Sequence, residues 1–181
     1  MLAILVLLAA VVLPGLSVLG GRPLRAQAER FASDLELARV RTVLLGVPHR
    51  VVIDLEGGAW RVEWLVTEAE ALGKTASALA PAAAASDPRA RLDLAPPLGE
   101  TPEYRPVPVS AGRTSTLDDD LIFSRIDTTQ GPVNRGTVAV GFERDGTADP
   151  TRILLADERG HTVVVDVEPL EETVRVRDVE H

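Results

Sequence analysis

Residues 24–60 read LRAQAERFASDLELARVRTVLLGVPHRVVIDLEGGAW, and the period of the apolar pattern changes once within them. Up to residue 45 the stripe positions recur every three or four residues: Leu24, Ala28, Phe31, Leu35, Ala38, Thr42 and Leu45. That spacing draws one line along a helix, the face expected to pack on a sheet. Arg25, Glu29, Arg30, Asp34, Glu36 and Arg39 fall off the line. Arg25 with Glu29 and Arg30 with Asp34 are four apart, spaced to pair across a turn. Pro23 suits the first position of a helix. Gly46 and Pro48 are a stop, because Gly takes the left-handed C′ conformation and Pro cannot continue the ladder. Beyond Pro48 the period becomes two. Val51, Ile53 and Leu55 share a face. Glu56-Gly57-Gly58 is a turn, and Trp60, Val62, Trp64 and Val66 share a face with Arg61 and Glu63 opposite. This predicts a β-hairpin whose Trp stripe belongs to the sheet core.

Upstream, residues 1–21 read MLAILVLLAAVVLPGLSVLGG and carry no charge. A helix of that length spans about 31 Å, enough to cross the hydrocarbon of a bilayer. Leu2, Ile4, Leu5, Leu7, Leu8, Val11, Val12, Leu13 and Pro14 are its expected membrane positions. A secretory signal cleaved near Ala26-Gln27-Ala28 is the alternative. It would leave a soluble periplasmic β-rich binding protein, released by signal peptidase. Against it, the run lacks a basic preamble, and Arg22, Pro23 and Arg25 stand between it and that site. If the two helical stretches are continuous, residues 2–45 form a rod of about 65 Å, weakest at Gly20-Gly21-Arg22-Pro23. Such a rod suits a subunit held in a membrane with a globular head.

Downstream, residues 67–116 hold seven of the thirteen prolines and a low-complexity alanine run. Thr67–Leu79 is expected as a short helix, and the rest as a long partner-facing surface excursion. Strands are then expected at Leu121–Phe123, Thr137–Phe142, Arg152–Leu155, His161–Val167 and Thr173–Arg177. Asp145-Gly146 and Glu158-Arg159-Gly160 form the turns of an antiparallel meander. The predicted division is 1–46, a membrane-spanning then amphipathic helix, and 47–181, a β-rich head with its insert at 67–116. The predicted fold class is α+β, one long N-terminal helix packed on a small antiparallel sheet.

Composition excludes several activities. A formal net charge of −8 and a pI near 4.9 argue against a general nucleic-acid binder, which needs clustered cations. Arg175 and Arg177 alternate outward, but Glu171, Glu172, Asp178 and Glu180 cancel their field. Cysteine is absent, so thiol chemistry and cysteine-ligated zinc are excluded. His49, His161 and His181 are scattered and suggest neither catalysis nor metal binding. Asp118-Asp119-Asp120 lacks the spaced oxygens and Gly of a calcium loop and reads as a solvated turn. Ser110 and Ser115 have no nucleophile elbow. No enzyme, cofactor or metal is expected. With 45% hydrophobic but 3% aromatic residues, the core must be aliphatic, with Phe31, Trp60, Trp64, Phe123 and Phe142 as its few large pieces.

The stretch LAILVLLAAVVLPGL resembles the interior of a type IV pilin-like N-terminal helix, Pro14 included. FASDLELARVRTVLLGVPHRVVIDLEGGAW resembles the start of the H-type minor pseudopilins of type II secretion (GspH) and of their FimT-type minor pilin relatives. The matching positions are Ala38-Arg39, Gly46-Val47-Pro48 and Trp60. VAVGFERDGTADPTRILLADERGHTVVVDVEPLEETVRV is similar to the family's C-terminal half, with Phe142, Asp145 and Gly146 at its Phe-x-x-Asp-Gly turn. Together these stretches cover about 110 residues. The chain departs from the pattern in three ways. The leader, its Gly, the Phe that becomes the methylated N-terminus and the nearby Glu are missing, so Met1 is expected to sit inside the mature helix. Leu170-Glu171-Glu172 stands where the family has Thr-Gly. The alanine-proline insert is long. The resemblance implies a non-enzymatic subunit of the secretion pseudopilus, processed by prepilin peptidase and anchored once in the bacterial inner membrane with its head in the periplasm. Its implied partners are the major and minor pseudopilins, met through the N-terminal helix in the filament core, with no nucleic acid. The alternative within the family is a FimT-type minor pilin serving pilus assembly or DNA uptake.

Overall fold

The computed structural model describes residues 2–72, 101–108, 112–170 and 173–179, with residues 2–22 as helix backbone only. Helix α1 (Leu2–Leu45) is a single helix across Gly20-Gly21. The positions expected to lie in a membrane, Leu2 to Pro14, lie outside the residues whose side chains are described. Among those that are, no helix is long and apolar enough to cross a membrane. α1 ends as the stop predicts. Gly46 takes φ +64° and its N–H donates to the Thr42 carbonyl at 2.9 Å.

Two antiparallel sheets receive the helix, where a single meander was expected. The first has β1 (His49–Asp54) and β2 (Ala59–Val66) at its centre. β7 (Thr137–Phe142) pairs on β1, while β3 (Glu103–Pro106) and β4 (Ser115–Thr116) share the outer edge of β2. The second runs β10 (Arg175–Val179), β9 (Thr162–Val167), β8 (Thr151–Asp157), β5 (Leu121–Thr128), β6 (Gly131–Val133). The meander fails at β7, which turns back to pair with β1 along its whole length, His49 opposite Phe142 through Asp54 opposite Thr137. The chain then crosses to the other sheet. β5 runs to Thr128, well past the expected Phe123. A register shift between Phe123 and Arg125 bulges it, and the Ser124 hydroxyl donates to the Leu154 carbonyl at 3.1 Å. β6 was not expected at all.

α1 packs on β1 and β7 of the first sheet and on β8, β9 and β10 of the second. Leu24, Ala28, Phe31, Leu35, Ala38 and Thr42 have no exposed surface. Thr42 can be buried because its hydroxyl donates to the Ala38 carbonyl at 2.9 Å. The stripe stops one turn early: Leu45 is 54% exposed, because the sheets end beneath the turn where the chain leaves the helix. Phe31, Trp60 and Phe123 meet edge to face, with centroids 5.3 Å, 5.3 Å and 6.0 Å apart, so one ring comes from the helix and one from each sheet. Arg25 pairs with Glu29 as expected, at 2.9 Å. Asp34, expected to pair with Arg30, instead accepts from the Trp60 indole at 2.7 Å, where a part-buried donor needs a partner.

The expected insert is tied down at both ends. Thr67 caps α2 (Glu68–Ala71) in a reciprocal capping box with Glu70. β3 and β4 hold the return path, within what was expected as a long surface excursion. Residues 73–100 and 109–111, the bulk of that insert, lie outside the described residues. Glu63 is a further correction. Expected on the solvent side, it is 3% exposed, because Arg50 and Arg61 close over it with contacts of 2.7 Å each.

Candidate assembly surface

The side of α1 that turns away from the sheets is apolar in its last turns. Leu37, Val40 and Leu44 follow the three-and-four spacing on the face opposite the buried stripe, with Val43 and Leu45 flanking them. They are 39%, 50%, 76%, 54% and 54% exposed. Scattered single apolar residues on a surface need no explanation; five on one short stretch of helix do. Upstream the same face carries Arg30 and Ser33, both exposed. A helix buried on one side by its own sheets and apolar on the other is suited to pack against a second helix.

The positions that match the family pattern gather partly behind this surface. Arg39, 6% exposed, donates to the Glu168 carbonyl at 2.7 Å, and its guanidinium lies 5.3 Å from the centre of the Phe142 ring. Phe142 leads into the turn Glu143–Thr147. There Gly146 donates to the Glu143 carbonyl at 2.7 Å, and Asp145 accepts from the Thr147 amide and hydroxyl at 3.0 Å and 2.7 Å. The Thr147 hydroxyl above all, with its amide, holds the Asp145 carboxyl below the usual range. Gly146 has φ +85°, and a Cβ there would stand 2.8 Å from Cγ2 of Val43 on α1. The turn therefore lies on the helix. Gly146→Ala should cost about 1–2 kcal/mol, mostly from backbone strain. In urea unfolding, the added change Val43→Ala should recover only the smaller, steric part. Unchanged stability in Gly146→Ala would mean that the turn does not press on α1.

Gly46 and Pro48 mark the helix end, and Trp60 lies further off, held by Asp34. His49 follows directly and is fully buried, its Nδ1 at 2.7 Å from the Val47 carbonyl. Since a carbonyl only accepts, Nδ1 carries the proton in the neutral ring. Burial, with the nearby Arg41 charge adding to it, lowers the imidazole below its ordinary 6.5 despite the Val47 bond. The unfolded chain thus takes up a proton near pH 6.5 that the folded chain resists. The stability from burying neutral His49 is whole above that pH and declines as pH falls below it. Thermal melts from pH 7.5 downward should show Tm falling below about pH 6.5. The decline should shrink in His49→Gln, and an equal decline in that variant would remove His49 as its cause.

No other sequence candidate joins this surface. His161 pairs with Asp157 at 2.7 Å, and Asp118, Asp119 and Asp120 form an exposed turn. Ser115 lies in β4 opposite Trp60, while Ser110 and His181 lie outside the described residues. Among the described residues no group of three His, Cys, Asp or Glu is placed to hold a metal. Arg177 is engaged with Asp166, which also takes Arg152 at 2.8 Å. Sequence reasoning passed over Glu63, Asp166 and the outward helix face. The hairpin register would have revealed the first, since the turn at Glu56–Gly58 sets Arg50 opposite Glu63. Leu37, Val40 and Leu44 repeat at helical spacing as plainly as the buried stripe.

No family model matches the chain, and no curated protein sequence does. Among solved structures, the chain is similar to the minor pseudopilin EpsH from the type II secretion system of Vibrio cholerae. Identity is 13% over 88% of this chain and 97% of that one, with a TM-score of 0.53. A second structure of that protein aligns at 14% identity over 85% and 94%, TM-score 0.48. The solution structure of E. coli GspH aligns at 18% over 87% and 89%, TM-score 0.46. At such identities the likeness concerns the fold: a pilin-like α+β fold, its N-terminal helix packed on antiparallel sheets.

Proposed function

We propose that this chain is a minor pseudopilin of the H type, a structural and non-enzymatic subunit of a type II secretion pseudopilus. The observation that carries the reading is the apolar outward face Leu37, Val40 and Leu44 on the same helix as the uncharged run 1–21. The likeness in fold to a minor pseudopilin supports it. In this reading residues 2–21 hold the subunit once in the inner membrane, with the head in the periplasm. Prepilin peptidase acts before assembly. The helix then leaves lipid and recovers its burial against the helices of neighbouring pseudopilins. The outward face continues that contact beyond the membrane segment.

The absence of cysteine gives a direct test. Val40→Cys or Leu44→Cys, expressed with the other pseudopilins of its own system, labelled with a maleimide that carries a photoactivated benzophenone and then illuminated, should yield adducts with those subunits. Asp119→Cys, in an exposed turn away from the helix, should not. The pair Val40→Glu with Leu44→Glu should leave the monomer's melting curve within the range of an ordinary surface change, about 0.5 kcal/mol, and should stop secretion. Secretion that survives the double change, or adducts from Asp119 alone, would sink the proposal.

A further inference from the structure

Under the last turns of α1 four nitrogen atoms are shielded from solvent and have no hydrogen-bond partner among the described residues: Arg41 Nη1, His49 Nε2, Trp64 Nε1 and Arg105 Nε. They are neighbours by construction. His49 lies directly opposite Trp64 in the β1–β2 register, with ring centres 6.4 Å apart, and Trp64 lies directly opposite Arg105 in the β2–β3 register. All three are on the face of the first sheet that looks toward α1, where Trp64 packs against the core. Arg41 reaches the same place from the helix. Asp34, seven residues earlier on the same side of α1, bonds Trp60, four residues earlier on β2. Seven helical residues and four strand residues advance by similar lengths, about 10 Å and 13 Å, so Arg41 comes over Trp64 as Asp34 comes over Trp60.

The chemistry of the four atoms is one-sided. An indole N–H and a guanidinium can only donate. Three donors, two of them on cations, therefore converge without a bonded acceptor among the described residues: the neutral His49 ring offers one lone pair, at Nε2, and no donor bonds it. Each shielded donor left unpaired is destabilising, because it gives up its bond to water and gains none in return. Native chains seldom carry several together without a reason. Arg105 remains 36% exposed at its side chain, with only a loose 3.6 Å contact from Nη2 to Glu103, so the cluster is open to solvent on its β3 side. We infer that this cluster is a binding site for a small oxyanion, a carboxylate or a phosphate group, held by Arg41, Trp64 and Arg105. Its oxygens supply acceptors that no described residue gives these three nitrogens, and a charge-assisted bond to each guanidinium makes both arginines matter.

The chain's two tryptophans provide the probe and its control. Trp60 Nε1 is already bonded to Asp34, and Trp64 Nε1 is not. The full chain, labelled with 15N-tryptophan and held in detergent micelles, is titrated with sodium acetate and separately with inorganic phosphate at constant ionic strength. The Trp64 indole signal should move saturably while that of Trp60 stays still. Arg41→Met and Arg105→Met should each weaken the apparent affinity by at least about tenfold. An unmoved Trp60 signal certifies that each variant is folded, and either variant alone suffices if the other is not. Tighter saturation by acetate assigns the site to a carboxylate, and tighter saturation by phosphate to a phosphate group. No saturable shift with either anion, equal movement of both indoles, or saturation unchanged in the folded variants would overturn the inference.

Discussion

Phe31→Ala should cost the head about 3–5 kcal/mol, the range for deleting a fully buried aromatic. The ring has no exposed surface and stands 5.3 Å from both Trp60 and Phe123, so its removal opens a void where helix and both sheets meet. Nothing nearby refills it, since the chain has three Phe and two Trp in all. The loss is large against the 5–15 kcal/mol typical of a domain. Urea unfolding of the full chain followed by tryptophan fluorescence reads it directly, because Trp60 is one of the two reporters. Phe31→Leu, which keeps most of the volume, should lose well under half as much. A loss below about 1 kcal/mol in Phe31→Ala would mean that the helix does not complete this core.

Asp166→Asn is the second large effect, of about 2 kcal/mol. On the outer face of the second sheet, Asp127, Arg152, Asp166 and Arg175 lie side by side across β5, β8, β9 and β10. Asp166 is 3% exposed, covered by the side chains of Arg152 and Arg177, which both donate to it. Removing the charge of a shielded carboxylate between two cations is costly, often 3–5 kcal/mol. The arginine side chains are 54% and 58% exposed and keep much of their water, which brings the expected figure down to about 2 kcal/mol. Burial pushes the Asp166 carboxyl up, but the bonds from Arg152 and Arg177 outweigh it and hold it below its ordinary 3.8. Its contribution is therefore complete above pH 3.8 and is lost as pH falls through the lower folded value. Urea midpoints from pH 7 to pH 2 should drop in the parent at the acid end, and that part of the drop should vanish in Asp166→Asn. Equal midpoints at pH 7 would show that the three charges are no more than a surface arrangement.

Most of the helix and its partner hairpin was legible before any coordinates. The α1 stripe from Leu24 to Thr42, the stop at Gly46, and the faces Val51-Ile53-Leu55 and Trp60-Val62-Trp64-Val66 are patterns of period 3.6 and 2 within a few residues of each other. The polar partners were less legible. Arg25–Glu29 follows from helical spacing alone, but Asp34–Trp60 and Arg39–Glu168 join residues 26 and 129 positions apart. The proposed assembly face was visible in the spacing of Leu37, Val40 and Leu44. It became meaningful only when the sheets were seen to cover the other side of the helix.

By itself, then, the sequence determined the helix, its stop, the hairpin, the aliphatic character of the core and the absence of thiol chemistry, because each depends on neighbours in the chain or on composition. Only the tertiary structure decided that β7 returns to β1, that two sheets share one helix, that β3 and β4 anchor the insert, and that Asp166 is shielded. Strand order and charge burial depend on which distant segments meet. Local period does not encode those meetings: β7 alternates as readily beside β8 as beside β1. The full length of its register with β1, and the crossing to the second sheet after Phe142, settle the choice, because they let both sheets cover the one buried face of α1.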